Sequence, residues 1–351
     1  MKTLVIRKPD DFHAHLREGE MLRRVLSFTA NVFARALVMP NLQNPLVSTF
    51  KVMEYSKQID RECKKQGFNN FHALRTLYLT DNTTANDISW AYCWQNIVAV
   101  KLYPKGTTTG SVHGVSDVRL LAPVFAEMEK RGVVLSIHPE MPEMHSDYAE
   151  EEFLVGPFWW IYQNFPKLKI VWEHVTTAYI VNILKMYPER VAATITAHHL
   201  FLTRDDVLGN PHNYCKPPAK SEEDQVALIN VAISGNPKFF FGSDSAPHWK
   251  YTKERTIKVP AGVFSAPVAI PVLAQVFEAV GALDKLENFV SRFGAEFYGL
   301  PLNQERICLL KEKWRVPLML GEEMGNLIVS LAAGQELDWR VIGSTMPFER
   351  K

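Results

Sequence analysis

The sequence predicts an α/β protein, a (β/α)8 TIM-type barrel with a C-terminal helical and loop-rich appendage. Short apolar runs rich in β-branched residues alternate with segments of helical spacing, and no linker divides the chain. Eight such runs over roughly 250 residues suit a closed barrel better than an open doubly wound sheet. No dinucleotide-binding or phosphate-binding glycine motif follows any of them, which disfavours a nucleotide-binding fold.

Each predicted strand is short and apolar, as a strand buried on both faces requires. In chain order the strands are the segment ending near Leu16 and then 35–41, 74–80, 97–104, 133–139, 169–175, 191–199 and 239–245. The clearest helical spacings fall between them, at 49–65, 116–131, 177–187 and 222–234. We expect the barrel to occupy residues 1–302 and an extension packed on it to occupy residues 303–351.

Composition excludes several classes of protein. The 351 residues include 39 basic and 38 acidic side chains, so a dedicated nucleic-acid surface is not expected. The four cysteines are far apart and lack the spacing of a zinc ribbon or a redox motif. Residues 1–11 are mixed and charged, unlike a signal peptide, and the long apolar stretch 266–283 contains prolines and is typical of a buried helix. We expect a soluble, cytoplasmic protein with no membrane or nucleic-acid partner.

The carboxyl ends of the predicted strands carry unusually polar side chains. His13 and His15 are two residues apart, so on a strand both imidazoles point to the same side and can bind one metal ion. Alone this pair is a weak signal. His138, His174 and Asp244 follow other strands, and chemistry in such barrels is located at these strand ends. Together they predict a site for a divalent metal ion of intermediate (borderline) softness, such as Zn²⁺.

Lys101 ends the fourth predicted strand and has two interpretations. Its ammonium can extend to water, the common arrangement at a strand end. If it points into a metal-rich rim, desolvation and nearby cations lower its pKa, and the neutral amine can take up carbon dioxide as a carbamate. Small residues two positions before three of the polar strand ends, at Ala99, Ser136 and Gly242, would leave room for two ions that share a hydroxide.

Several motifs in this order resemble the amidohydrolase superfamily and, within it, the dihydroorotase family of the shorter, bacterial-type class. The resemblance extends from the first strand to about residue 301. The motifs are residues 11–17 (DFHAHLR), 38–41 (VMPN), 99–104 (AVKLYP), 173–177 (EHVTT), 242–248 (GSDSAPH) and 297–301 (FYGLP).

The resemblance implies two Zn²⁺ per chain, bridged by carboxylated Lys101 and a hydroxide. The implied ligands are His13, His15 and Asp244 for one ion and His138 and His174 for the other. Asp244 would also be the catalytic general acid and base. The implied substrate-binding residues are His15, Arg17, Asn41, Thr108, Thr109, His138, Lys216, His248 and Ala261. Among these, Arg17, Asn41 and His248 would hold a substrate carboxylate, and Thr108 and Thr109 would lie in a mobile loop.

The activity implied by the resemblance is the reversible cyclisation of N-carbamoyl-L-aspartate to L-dihydroorotate plus water in pyrimidine biosynthesis, by a homodimer. Two alternatives remain. A hydantoinase or dihydropyrimidinase uses a similar metal core, although an unsubstituted ring offers no carboxylate for Arg17, Asn41 and His248. The second alternative is a metal-free barrel that serves as a binding partner, although such a relative is expected to have lost metal ligands.

Overall fold

The computed structural model of the protein describes residues 2–255, 257–321 and 324–342. Its strands are β1 (Thr3–Arg7), β2 (Asp10–Ala14), β3 (Arg35–Val38), β4 (His72–Leu74), β5 (Thr76–Tyr78), β6 (Ala99–Leu102), β7 (Val134–Ile137), β8 (Ile170–Trp172), β9 (Val191–Ile195), β10 (Phe239–Phe241), β11 (Arg306–Arg315) and β12 (Glu336–Ile342).

Thirteen α-helices are assigned among these residues. They are α1 (Gly19–Ala30), α2 (Thr49–Gln66), α3 (Ala85–Gln95), α4 (Ala122–Arg131), α5 (Ala149–Phe153), α6 (Trp159–Asn164), α7 (Ala178–Met186), α8 (Ala197–Phe201), α9 (Arg204–Val207), α10 (Glu222–Ile233), α11 (Lys250–Lys253), α12 (Ala269–Ala279) and α13 (Phe293–Phe297). Short 3₁₀ segments are Val118–Leu121, Pro211–Asn213, Leu283–Lys285 and Met324–Asn326, and π-helical turns are Leu154–Phe158 and Asn288–Arg292.

The parallel barrel is confirmed. Strands β2, β3 and β4 form one parallel ladder, and β5 to β10 form another in chain order. Only Arg75 separates β4 from β5, so these two strands take one of the eight places in the barrel. A parallel bridge between Ala14 and Ser245 joins the first place to the last. All residues of β2, β3 and β5 to β10 are buried, as expected for parallel strands covered on both faces.

One layer of apolar side chains fills the barrel below the strand ends. Seven of the eight places contribute to it, through Phe12, Leu37, Ala99, Val134, Val171, Ala192 and Phe240. Tyr298 stacks on Phe12 with ring centroids 4.8 Å apart. A Cβ atom at Gly294 would lie 2.3 Å from the Phe12 ring, so α13 approaches this layer closely only because glycine stands there. This packed apolar layer therefore closes the barrel beneath the polar strand ends.

The helices begin where the sequence provides caps. Ser48, Thr84, Thr177 and Ser221 each accept a hydrogen bond from a backbone N–H in the first turn of α2, α3, α7 and α10. The apolar stretch that contains α12 is a buried helix, as predicted. Within the described residues, no helix is both long enough and apolar enough to cross a membrane.

The prediction of a helical C-terminal appendage was wrong for the residues that the structure describes. Strands β11 and β12 pair antiparallel, and β11 also pairs antiparallel with β1. Alternate side chains such as Ile307 and Leu309 are buried while their neighbours are not, so the apolar period is two and favours a strand. Residues 343–351 of the expected extension lie outside the described residues. The division at residue 302 stays a prediction, and β1 pairs across it.

Candidate active site

The polar side chains at the strand ends converge on one cavity at the carboxyl edge of the barrel. It is lined by His13, His15, Arg17, Asn41, Tyr103, Thr108, Thr109, His138, His174, Lys216, Asp244, Ala246, Ala261 and Gly262. Two further predicted residues are not part of this lining. Lys101 is completely buried, and His248 contacts the lining residues Arg17 and Ala261.

Asp244 lies at the centre of the histidine cluster. Its Oδ1 is 2.9 Å from Nε2 of His15 and 3.3 Å from Nε2 of His13. Donor atoms of His13, His174 and Asp244 all lie within 4.8 Å of one another. The His138 ring is 4.7 Å from that of His174, centroid to centroid. The structure therefore brings together the five His and Asp side chains that the sequence predicts as metal ligands.

Lys101 is a buried amine with no counter-ion in contact. Its Nζ has no hydrogen-bond partner among the described residues and lies 5.1 Å from the centroid of the Tyr103 ring. Burial lowers the pKa of Lys101 to about 8, against the opposing charges of Glu173 and Asp244. A neutral amine is the form that reacts with carbon dioxide, and this pKa makes that form accessible near neutral pH.

The donor set fits a divalent metal centre. Nδ1 of His174, like Nζ of Lys101, is buried with no hydrogen-bond partner in the described part of the chain. A buried polar atom left unpaired is costly, and a bound ion would satisfy it. Burial lowers the pKa of His15 to about 4 and that of His174 well below its ordinary value, so both imidazoles are neutral and can act as ligands.

Glu173 holds His13 in place, a role that the sequence analysis did not assign. Its carboxylate accepts hydrogen bonds from Nδ1 of His13 at 2.8 Å, from the Thr194 hydroxyl at 2.6 Å and from the Ser136 hydroxyl. The protonated Nδ1 leaves the lone pair of His13 on Nε2, which faces Asp244. The available sequence signal was an acidic residue next to His174 at the end of a buried strand.

Asp11 and Glu140 also support the cluster without a role assigned from the sequence. Asp11 accepts hydrogen bonds from the backbone N–H groups of His13 and Ser243, at 3.1 and 2.8 Å, and so joins the first barrel strand to the last. Burial raises the pKa of Asp11 to about 6. Glu140 Oε2 lies 2.6 Å from Nε2 of His138 and orients that ring.

Three residues of the cavity adopt a left-handed backbone conformation that residues other than glycine rarely adopt. The φ angles are 59° at Arg17, 41° at His174 and 41° at Asp244. At His174 the turn is held by its backbone N–H, which donates to the Thr194 hydroxyl at 2.7 Å. Such strain is typical of functional sites, where the surrounding structure imposes the geometry.

Arg17 and Asn41, which the sequence analysis assigns to binding a substrate carboxylate, both line the cavity. Arg17 Nε donates to the Pro247 carbonyl at 3.2 Å, and a terminal nitrogen lies 3.2 Å from Nε2 of His248. That Nε2 is also 3.0 Å from the Ala261 carbonyl, so it lies between a guanidinium that can only donate and a carbonyl that can only accept. Asn41 donates to the Thr109 carbonyl at 3.0 Å.

The segment 105–110 folds over the cavity and is held by contacts to three parts of the chain. The Thr109 hydroxyl donates to the Ala261 carbonyl at 3.4 Å, and the Thr108 N–H donates to the Ser111 hydroxyl at 2.8 Å. Lys216 Nζ donates to the Thr107 carbonyl at 2.7 Å. The sequence analysis placed Lys216 near the substrate, and the structure adds that its ammonium binds this segment.

The sequence relatives and the solved structures similar to this chain include dihydroorotases. A scan against models of protein families gives no match. A dihydroorotase of Coxiella burnetii (strain RSA 331 / Henzerling II) is 43% identical over 347 residues, covering 97% of this chain and 98% of the relative. The crystal structure of dihydroorotase from Saccharomyces cerevisiae in complex with 5-fluoroorotic acid has a TM-score of 0.90 and 37% identity, covering 97% and 98% of the two chains. The dihydroorotase structure from Campylobacter jejuni has a TM-score of 0.88 and 36% identity, covering 97% of each chain.

A barrel with this His, Asp and Lys cluster at its carboxyl edge, and with these structural neighbours, is an amidohydrolase-type hydrolase. Dihydroorotases that are more than 40% identical over nearly their whole length narrow the assignment from the superfamily to one family. The chain belongs to the dihydroorotase family.

Proposed function

We propose that this protein catalyses the reversible cyclisation of N-carbamoyl-L-aspartate to L-dihydroorotate and water in pyrimidine biosynthesis. One observation carries the proposal: a single cavity places the Asp244 cluster on one side and Arg17 with Asn41 on another. Cyclic amide hydrolysis needs an activated water, and this substrate adds a carboxylate that must be held. Both requirements meet in this cavity, and the yeast relative was solved with an acid of similar ring type.

Two Zn²⁺ ions would be held by His13, His15 and Asp244 and by His138 and His174, with carboxylated Lys101 bridging them. Bound there, they would lower the pKa of a shared water and polarise the substrate carbonyl. Glu173 and Glu140 would keep the ring nitrogens of His13 and His138 oriented toward the ions.

Asp244 would be the general acid and base. Burial favours its protonated form, but His13, His15 and His174 outweigh that effect and hold its pKa well below the ordinary value. The resting carboxylate is therefore ionised and ready to accept a proton from the attacking water. In the hydrolytic direction Asp244 then passes that proton to the leaving ring nitrogen, and in cyclisation the protonated acid assists loss of water.

Arg17, Asn41 and His248 would select the substrate by its carboxylate. Burial and the Arg17 cation hold the pKa of His248 well below its ordinary value, so this ring is a neutral donor. A guanidinium beside neutral donors matches a carboxylate in charge and geometry. His15, His138 and the backbone at Lys216 and Ala261 would contact the ring, and Thr108 and Thr109 would cover it and exclude water.

We also propose that the protein is cytoplasmic and acts as a homodimer without nucleic-acid or membrane partners. All four cysteines are unpaired, which is compatible with a reducing compartment. The dimer rests on the family resemblance, and analytical ultracentrifugation tests it: a sedimenting mass of one chain at micromolar concentration would contradict it.

A paired assay tests the function. Purified protein supplied with zinc and bicarbonate is given L-dihydroorotate, and turnover and bound metal are measured on the same sample. We expect turnover with at least two ions per chain. Metal-loaded protein that does not turn over dihydroorotate but hydrolyses hydantoins would favour the hydantoinase alternative. Protein with neither metal nor turnover would favour the binding scaffold.

A further inference from the structure

A second group of soft metal donors lies outside the residues assigned to catalysis. Ligand atoms of His198, His199 and Cys215 all lie within 4.8 Å of one another, and all three side chains are buried. His198 and His199 belong to α8, which directly follows β9, and Cys215 lies in the loop after Asn213. The mechanism proposed above uses none of these three side chains.

His198 is the unexplained member of this group. It is fully buried, and neither ring nitrogen has a hydrogen-bond partner among the described residues. Burial lowers the pKa of His198 well below its ordinary value, so the ring is neutral and one nitrogen carries a free lone pair. A buried imidazole left without partners is destabilising, and a ligand that accepts the lone pair would relieve this cost.

The remaining donors have the spacing of a tetrahedral site. Cys215 Sγ is 3.7 Å from His199 Nε2, and bonds of about 2.3 Å to sulfur and about 2.0 Å to nitrogen at a tetrahedral angle imply about 3.5 Å. The Pro217 carbonyl oxygen lies 3.0 Å from the same Nε2 and 3.2 Å from the same Sγ. It supplies a fourth donor next to His199 and Cys215.

We propose that His198, His199 and Cys215, with the Pro217 carbonyl, form a further metal site for one thiophilic divalent cation such as Zn²⁺, separate from the ions around Asp244. A mixed imidazole and thiolate set is the donor type that such ions prefer.

Binding requires a defined movement of protons. The Cys215 S–H bond breaks, its proton goes to solvent, and the sulfur lone pair forms the bond to the metal. The proton on His199 Nε2 is replaced by one on Nδ1, which can donate to the Thr196 hydroxyl 3.0 Å away. Burial raises the pKa of the Cys215 thiol, so one proton is released per ion bound and affinity rises about tenfold per pH unit.

Cobalt provides a probe that separates this site from the catalytic centre. Thiolate bound to Co²⁺ absorbs in the near ultraviolet, and the donors around Asp244 contain no sulfur. Metal-free full-length protein is titrated with Co²⁺ alone, and near-ultraviolet absorbance and bound cobalt are recorded. We expect a thiolate-to-cobalt absorption together with a third equivalent of bound metal, both lost in Cys215→Ser. The matched control is Cys63→Ser, which removes another buried free cysteine, in α2.

Two results would overturn the proposal: absence of this absorption at a cobalt concentration that saturates the protein, or an absorption that survives Cys215→Ser. A second variant covers the case in which Cys215→Ser does not fold. His198→Gln keeps the thiol but removes an imidazole ligand, so it should lose the third equivalent at a cobalt concentration that saturates the wild type. Unchanged cobalt binding by folded His198→Gln also overturns the proposal. None of these readouts depends on turnover of dihydroorotate.

Discussion

Glu173→Gln removes one negative charge beside His13 and leaves the shape of the site intact. Glutamine can keep its carbonyl oxygen toward Nδ1 of His13 and the Thr194 hydroxyl, while its amide group donates to the Ser136 hydroxyl. The number of hydrogen bonds is retained. What is lost is the charge assistance of the bond to His13, since bonds to an ionised acceptor are roughly twice as strong as neutral ones.

The expected effect is a loss of about 1–2 kcal/mol in metal binding, because a neutral partner makes His13 a weaker ligand. At about 1.4 kcal/mol per factor of ten, this is about a 5- to 30-fold weaker zinc affinity. Zinc loading of the metal-free protein is measured by competition with a chromophoric chelator, and turnover is measured at limiting and at saturating zinc. Most of the activity should return at saturating zinc, because Glu173 orients a ligand and lies outside the cavity lining.

The control is Glu152→Gln, which removes the same charge from an exposed position in α5. It should leave both zinc affinity and turnover unchanged. If Glu173→Gln needs no more zinc than this control, the assignment of Glu173 as the residue that positions His13 is wrong.

Three further predictions concern separate parts of the site. Lys216→Leu removes the 2.7 Å bond to the Thr107 carbonyl, so in steady-state kinetics KM should rise about fivefold, from about 1 kcal/mol, with kcat little changed; an unaltered KM would count against a role for this bond. Lys101→Met keeps the buried stem but removes the amine, so elemental analysis should find fewer ions per chain than in wild type and turnover should vanish; an unchanged metal content would refute the bridging role. Burial raises the pKa of Glu150 to about 7, so the folded chain keeps a proton that the unfolded chain loses, and the contribution of Glu150 to the unfolding free energy should fall by about 3 kcal/mol as pH rises from about 4.5 to about 7. Urea unfolding across this range should show wild type losing this amount of stability relative to Glu150→Gln, and a constant difference between the two proteins would contradict the assignment.

The sequence was sufficient to predict the barrel and the edge at which the site lies. Parallel strands buried on both faces are largely apolar runs, and polar residues at or just after the end of a run mark its carboxyl end. Lys101, His174 and Asp244 were found in this way, because barrel geometry brings equivalent strand ends together. Their individual roles are proposals that rest on the family resemblance and on the contacts described above.

The contacts that orient the ligands could not be predicted from spacing. Glu173 follows β8 at a turn whose next residue has a left-handed backbone, so strand alternation does not indicate where its side chain points. Lys216 reaches Thr107 across more than a hundred residues, and no local pattern encodes such a bond. In residues 306–315 and 336–342 the alternation of apolar side chains was a local signal for strands that the sequence analysis did not use, whereas the pairing of β11 with β1 has no local signal.

That pairing has a consequence for how the chain is made. β1 emerges from the ribosome well before its partner β11, which follows about three hundred residues later. Until then one edge of β1 has no strand to pair with, and closing so long a loop carries an entropic cost of several kcal/mol, on the order of (3/2)RT ln n. We therefore expect the small sheet to form late on the nascent chain. Val5, which is about half exposed even in the folded protein, lies in β1. While β1 is unpaired, a chaperone or a β-strand of another chain would bind to this segment first.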